Sequence, residues 1–498
     1  MPTPSYRSAV VFLMSIALLL AANALPVAAL EPLDDRSLAA TLDALIDNHP
    51  TARRTTVALK VVDPATGEVL YDRHGDRLLT PASNLKIYTS AAALDLLGPD
   101  DTGATTSIEI DRDERTLRLV GGGAPMISSD DLRGWARQAA DWLPVLPGGA
   151  SWRVVTAVPE EWAGLPDKGP GWMWDDEPDY YNMTITPLAV DFNTLKVTVA
   201  AGDAGTTATL VPASAYPEIV DTVEALAPGG GNPVRSVRVD RDPFTDTVLV
   251  SGRLTRGAKP IEGVITMHDP DLWVAGVFAE MLRERGVPVG EISTAVHAEA
   301  APSAMTFASD PLREAVKHFN KVSENAVGEM LLLRLGQEHG DHERFGPDAS
   351  WPKGAAVIGD WLINTAGLEE GSFRLVDGSG LSRYNLITAD SSIRLLTFML
   401  RHEARDAFID SLPVYAVALP QGGDWGGKPL AEFDAERVFA KPGGMSGVNT
   451  ISGYVDTLDG RRLAFSFLTN GYVGSSAPSR DLRGKVWAEL VRYRPASR

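Results

Sequence analysis

Cysteine is absent from all 498 residues, which excludes a disulfide framework and thiolate chemistry. Histidine is scarce, and none of the eight stands in a recognisable local motif, so no Ser-His-Asp triad can be assigned. His339 and His342, with Glu338 and Asp341, fall in a polar helix-to-loop stretch without a third ordered ligand, which reads as solvated loop rather than metal site. Basic charge is in deficit: 46 Lys and Arg against 65 Asp and Glu give a net charge of −19, which argues against nucleic acid or an anionic membrane surface as a partner. A phosphate-binding glycine motif, internal repeats and low-complexity tracts are missing too. After the N-terminal stretch, no apolar run is long enough to cross a bilayer.

That N-terminal stretch carries Arg7, an apolar run from Ala9 to Leu25 and the small pair Ala28-Ala29. Residues 1–29 read as a cleaved signal peptide, with an uncleaved anchor as the other reading. The expected protein is periplasmic or otherwise exported, with no integral span in its mature form. Hydrophobic residues make up 44% of the chain, a globular content, and its length calls for two or three domains.

Leu38, Leu42, Leu45 and Ile46 mark a short helix, and Thr56 to Val62 and Val69 to Tyr71 read as strands joined at Asp63-Pro64-Ala65-Thr66-Gly67. From Asp100 short β-like pieces alternate with Gly/Pro turns: 107–111, 117–120, 188–199, 208–212, 234–239 and 247–254. They predict a β-rich insertion over 100–299, one or two subdomains, dividing a unit of 30–99 and 300–498. Helical periodicity returns over 272–285, again behind an Asp310 cap and Pro311, and along Val327, Met330, Leu331 and Leu335. Strands follow at 438–440, 448–455 and 463–468, then a helix with Leu482, Val486, Leu490 and Tyr493. Strands near both ends predict one sheet assembled from both termini.

Chemistry is concentrated at Pro81-Ala82-Ser83-Asn84-Leu85-Lys86, at the mouth of a segment with Leu85, Tyr88, Ala92 and Leu96 in helical register. Ser83 and Lys86, three positions apart, share one face of a first turn, which brings a hydroxyl within reach of an amine. An amine kept neutral by burial or by a second cation can take the proton of a serine nucleophile. Ser-x-x-Lys recurs at Ser350-Trp351-Pro352-Lys353, where the flanking Pro347-Asp348 and Gly354 favour a loop before a helix. Ser323-Glu324-Asn325 sits between two helices. Its polar tips either point together into a site, or Ser323 or Asn325 caps the next helix. Lys441-Pro442-Gly443-Gly444 ends a β-like run, either as a cation with bare amides near a ligand or as an ordinary strand end.

The order Ser-x-x-Lys, Ser-x-Asn, Lys-x-Gly resembles the low-molecular-mass class C penicillin-binding proteins, the D-alanyl-D-alanine carboxypeptidase/endopeptidase family. Gly121-Gly122-Gly123-Ala124-Pro125, Asn320-Lys321-Val322 before Ser323, and Asp377-Gly378-Ser379-Gly380-Leu381-Ser382-Arg383 fit its pattern. Ala440-Lys441, Gly447-Val448 and Gly453-Tyr454-Val455 fit it as well. The resemblance implies an α/β (α+β) transpeptidase-like fold, an antiparallel sheet flanked by helices, carrying a β-rich inserted domain. It implies peptidoglycan stem peptides and β-lactams as partners, with no cofactor and no metal.

Ser83 would be acylated, Lys86 would accept its proton, Ser323 would relay a proton to the leaving amine, Asn325 would hold the substrate amide and Lys441 would supply positive charge. The N–H groups of Ser83 and Gly444 would form the oxyanion hole. Gly171-Trp172-Met173-Trp174-Asp175-Asp176 and Tyr181 resemble the insertion's loop over the site, with Asp176 gripping a stem-peptide amine and Tyr181 as a wall. The other reading has Trp172 and Trp174 packing a domain interface.

The third motif departs from the family's Lys-Thr-Gly-Thr, because Pro442 and Gly444 replace both threonines. Loss of two hydroxyls expected to meet a terminal carboxylate predicts altered carboxypeptidase recognition. Two alternatives follow: a catalytically impaired peptidoglycan-binding homologue, or an esterase or β-lactam hydrolase of the same fold.

Overall fold

The computed structural model describes residues 33–144, 150–229, 231–297, 304–418, 424–425, 428–429 and 433–495. The signal-peptide stretch 1–29 lies outside them. No helix among the described residues is long and apolar enough to cross a membrane.

Strand β1 (Thr56–Asp63) is apolar on both parities, so it needs cover on both faces: Val57, Leu59 and Val61 enter one core, Ala58 and Val62 another. It sits inside a six-stranded sheet with β2 (Glu68–Arg73), β3 (Val414–Ala416), β4 (Glu436–Met445), β5 (Val448–Asp456) and β6 (Arg462–Asn470). The order is β3-β4-β5-β6-β1-β2, antiparallel throughout, with Ala58 opposite Leu468 where the two ends of the chain meet.

One face of the sheet is covered by α1 (Asp35–Asn48) and the closing helix α7 (Ala477–Val491). Leu38, Leu42 and Ile46 on α1 and Leu482, Val486 and Leu490 on α7 supply the apolar contacts. Asp34 caps α1 by accepting from Ser37 N. The opposite face carries α2 (Lys86–Leu96), α3 (Leu312–Lys321), α4 (Asn325–His339), α5 (Trp351–Asn364) and α6 (Ala389–Met399). Helix α2 lies in the middle of this layer, with Lys86 through Leu94 all buried. A polar residue on its first turn therefore cannot reach bulk water.

A third core gathers residues between Ala104 and Met305. It holds a five-stranded mixed sheet in the order 289–297, 152–159, 116–120, 105–111, 304–308, two three-stranded sheets, and helices Ser129–Trp142 and Pro270–Arg283. This stretch is rich in strand, its sheet extends to 304–308, and several elements differ from expectation. The run 188–199 is not one strand: Asp191, Phe192 and Asn193 take φ of 46°, 58° and 55°, and the strand begins at Thr194. Leu188 and Val190 are buried there without being strand, so their apolarity reports packing alone. Asp310 does not cap α3. Pro311 occupies the cap position at φ −54° and ψ 137° with no side-chain bond, and the helix begins at Leu312. Ser350-Trp351-Pro352-Lys353 is the entry of α5 itself, and buried Lys353 donates to the carbonyls of Gly346 and Pro347. Those bonds account for that lysine without chemistry.

Candidate active site

Residues Ala82–Leu85 form one turn of 3-10 helix that runs into α2. Ala82 carries φ of +48°, a left-handed conformation unusual for alanine, directly before Ser83. The turn is wedged on both sides. A Cβ on Gly380 would meet Ala82 O at 2.1 Å, and one on Gly443 would meet Pro81 O at 2.3 Å. Asn84 ties the turn to β4 and β5, donating to Lys441 O at 2.7 Å and accepting from Ser452 Oγ at 2.8 Å. The half-buried Ser83 hydroxyl is thereby offered from a rigid corner.

Lys86 is fully buried, and its Nζ donates to Ser83 Oγ at 3.1 Å, Asn325 Oδ1 at 2.6 Å and Ser379 O at 2.7 Å. Burial lowers its pKa to about 8, against the opposing pull of Asp377, Glu329 and Glu324. The Phe319 ring lies 5.2 Å from the amine. Lys441, also buried, is pushed well below the ordinary lysine value by burial and then by the charge of Lys86. A hydroxyl bonded to a partly neutral amine thus lies near a second buried lysine, itself driven toward its neutral form.

Neither Ser323 nor Asn325 is the helix cap. Glu324 takes that position, accepting from Ala326 N, which leaves Asn325 to join Lys86 to the insertion: its Nδ2 donates to Tyr181 O at 2.8 Å. Ser323 has φ of +71°, and its hydroxyl makes no hydrogen bond among the described residues. A strained, free, half-buried hydroxyl stands two residues from the asparagine that holds Lys86.

Pro442, Gly443 and Gly444 remain inside β4, paired with Ile451, Thr450 and Asn449 of β5. Ala440 N donates to Pro413 O, on the side away from β5. By the period of two, Gly444 N–H points to that same side, which is open beyond β3, and proline at 442 leaves no orphan donor there.

Asp176 ends a short 3-10 turn, Trp174–Asp176, and its Oδ1 accepts from the Tyr181 hydroxyl at 3.0 Å. Burial raises its pKa, with the Tyr181 bond acting in the opposite sense. The Tyr181 hydroxyl also reaches Asp179 at 3.0 Å, so the tyrosine joins two acids as well as packing beside them. Trp172 and Trp174 divide the two readings of the loop. Trp172 donates from its indole to buried Asp377 at 3.0 Å, whereas Trp174 is 89% exposed. His342 faces Gln337 O and Asp341 caps the amides of Glu343 and Arg344, remote from this constellation.

Glu329 was not singled out by sequence. Fully buried on α4, it accepts from Gly378 N, Ser379 N and Trp351 Nε1. Burial and then Asp377 raise its pKa. The available signal was a lone acid amid Val327, Met330, Leu331, Leu332 and Leu333. Asn84, enclosed within the first motif, was passed over as well.

Residues 38–489 match the family described as D-Ala-D-Ala carboxypeptidase 3 (S13). A D-alanyl-D-alanine carboxypeptidase of Actinomadura sp. (strain R39) is 32% identical over 455 residues, 87% of this chain and 81% of that protein. D-alanyl-D-alanine carboxypeptidase DacB of Haemophilus influenzae is 23% identical over 341 residues, 66% of this chain and 68% of the relative. The crystal structure of penicillin binding protein 4 from Haemophilus influenzae superposes with a TM-score of 0.70 at 18% identity, covering 91% of this chain and 99% of that one. The fold is therefore shared.

Proposed function

The chain belongs to the D-Ala-D-Ala carboxypeptidase 3 (S13) family of serine peptidases, and on that premise we propose that Ser83 is the residue acylated by D-Ala-D-Ala-type peptide bonds and by penicillin. The observation that carries this is the buried Lys86 amine, bonded to Ser83 Oγ at 3.1 Å and lowered to about 8. A lysine at its usual value would be almost wholly protonated at neutral pH. At about 8, roughly one molecule in ten presents a neutral base at pH 7.

In the proposed sequence Ser83 Oγ attacks the penultimate D-Ala carbonyl as its proton passes to Lys86. The N–H groups of Ser83 and Gly444 receive the developing oxyanion, an arrangement of the kind worth about 3 to 4 kcal/mol per donor. The free Ser323 hydroxyl relays the proton to the leaving amine, Asn325 binds the substrate amide, and Lys441 supplies positive charge when an anionic substrate group pairs with it. Water then hydrolyses the acyl-enzyme. Asp176 receives a stem-peptide amine, supported by its place beside Tyr181 on the loop that touches Asn325. The split into a peptidase unit, 30–99 and 300–498, and an insertion, 100–299, belongs to this reading and is supported by an apolar core drawn almost wholly from residues 104–289, although Trp162, Met183 and Ile185 pack into the other unit. Export to the envelope belongs to it too.

Cleavage of cross-links is the second reading, favoured by Pro442 and Gly444. Without the two hydroxyls, a substrate lacking the same terminal carboxylate loses less. Incubation of residues 30–498 with fluorescent penicillin, read by intact mass, is expected to add one adduct per chain, absent in Ser83→Ala. Folded protein with neither adduct nor lactam hydrolysis would sink the acylation mechanism and favour a binding homologue. For the loop, Asp176→Asn is expected to raise KM about tenfold for an amine-bearing peptide without altering penicillin labelling. An unchanged KM assigns the amine elsewhere.

A further inference from the structure

Two fully buried carboxylates, Asp377 and Glu329, take no part in these steps, yet they clamp one turn of chain from two sides. Glu329 holds the amides of Gly378 and Ser379 at 3.1 and 2.8 Å. Asp377 Oδ1 accepts from Gly380 N at 2.9 Å and Asn385 Nδ2 at 2.7 Å, and its Oδ2 from Ser382 N at 2.6 Å and Trp172 Nε1 at 3.0 Å. Three of those donors lie within eight residues of Asp377. The fourth comes from the insertion, 205 positions away in sequence.

The clamped turn faces the base. Its Ser379 carbonyl accepts from Lys86 Nζ, and its Gly378 carbonyl accepts from Thr89 Oγ1. Space around it is exhausted: a Cβ on Gly378 would meet Gly328 O at 2.0 Å. The insertion's loop is pressed against the same loop of chain, since a Cβ on Gly171 would meet Tyr384 Cδ2 at 2.5 Å and Ser382 Oγ at 2.8 Å. That loop carries Asp176 and returns through Tyr181, whose carbonyl is fixed by Asn325. The segment with the acid is thus held at its far end by the Lys86–Asn325 network and at its near end by the Trp172–Asp377 bond.

We propose that Asp377 is a positioning residue that registers the substrate loop against the base-bearing turn, through the indole N–H of Trp172. This rests on the loop being where substrate binds. Trp172→Phe keeps the ring and deletes the bond, so it separates registration from packing. Asp377→Asn exchanges a four-fold acceptor for a group with one acceptor oxygen and an N–H pair, which opposes the donors of its own turn.

The test uses both variants of the full chain, with steady-state kinetics on a D-Ala-D-Ala peptide bearing a free side-chain amine, acylation by benzylpenicillin, and hydrogen exchange. Trp172→Phe is expected to raise peptide KM about tenfold with kcat nearly unchanged, to leave penicillin acylation within about twofold, and to speed amide exchange over 171–177. Asp377→Asn is expected to slow both reactions. Unchanged KM and exchange in Trp172→Phe overturn the proposal. So does equal slowing of penicillin and peptide in Trp172→Phe, which would make the bond part of the fold in general. Failure of the Ser83 reading would appear separately, as wild-type protein without adduct, and the exchange result would still decide the registration.

Discussion

At the scale of the residue, the decisive feature is an ammonium placed where it cannot stay fully charged. Burial lowers the Lys86 pKa to about 8, while the carboxylates Asp377, Glu329 and Glu324 limit the drop, and the charge of Lys86 in turn helps to lower Lys441. The sign follows from the proposed role: a base acts as the neutral amine, whose fraction grows as pH rises through the folded-state value. The second-order rate of penicillin acylation is expected to climb by roughly two orders of magnitude between about pH 6 and pH 9 and to level off above. A stopped-flow profile that is flat or falling over this range would remove Lys86 as the base. The left-handed residues Ala82, φ +48°, and Ser323, φ +71°, lie at the same site, and Gly380 packed against Ala82 O holds the first of them in place.

At the scale of the element, β4 shows why two adjacent glycines are not equivalent. Gly443 faces the turn before α2, where an added Cβ would meet Pro81 O at 2.3 Å, Thr450 Oγ1 at 2.4 Å and Asn84 N at 2.6 Å. Gly444 has only Val448 O near, at 3.9 Å. Gly443→Ala is therefore expected to lose about 1–3 kcal/mol of stability by urea titration, and most penicillin labelling with it. Gly444→Thr restores one family hydroxyl in open space and is expected to raise kcat/KM for carboxylate-ended D-Ala-D-Ala peptides about tenfold. No gain in the threonine variant would separate that hydroxyl from carboxylate recognition.

At the scale of the whole molecule, the sheet separates stability from chemistry. Leu42 on α1 is fully buried against one face, whereas Ser83, Lys86 and Asn325 belong to the opposite layer. Leu42→Ala is expected to cost about 2–5 kcal/mol by urea denaturation. At temperatures where it remains folded, its rate of penicillin acylation should match wild type. A large rate loss in folded protein would mean that the two faces are mechanically coupled. The Glu177–Arg241 pair, with Arg241 only 3% exposed, ties the segment after Asp176 to the strand Arg235–Arg241. On the proposed reading, Asp176 would thus be presented from a packed body rather than from a loose loop.

The sequence by itself determined whatever depends on short spacing. Ser83 and Lys86 meet because three positions bring side chains together on a helical turn. β1 and β6 are legible as strands because each is a short apolar, β-branched and aromatic run bounded by turn residues, and the order of the three motifs sufficed for the family. It could not decide what depends on contacts between distant segments. Lys86 meets Asn325 across 239 positions, and Trp172 meets Asp377 across 205. Ser323 and Asn325 were equally plausible as caps until Glu324 filled that role, because a cap and a ligand use the same side chains. Burial of Lys86 was undecidable from a polar letter in an apolar run. Only the packing of α2 among its neighbours excludes water from that amine, and exclusion of water is what turns a lysine into a base.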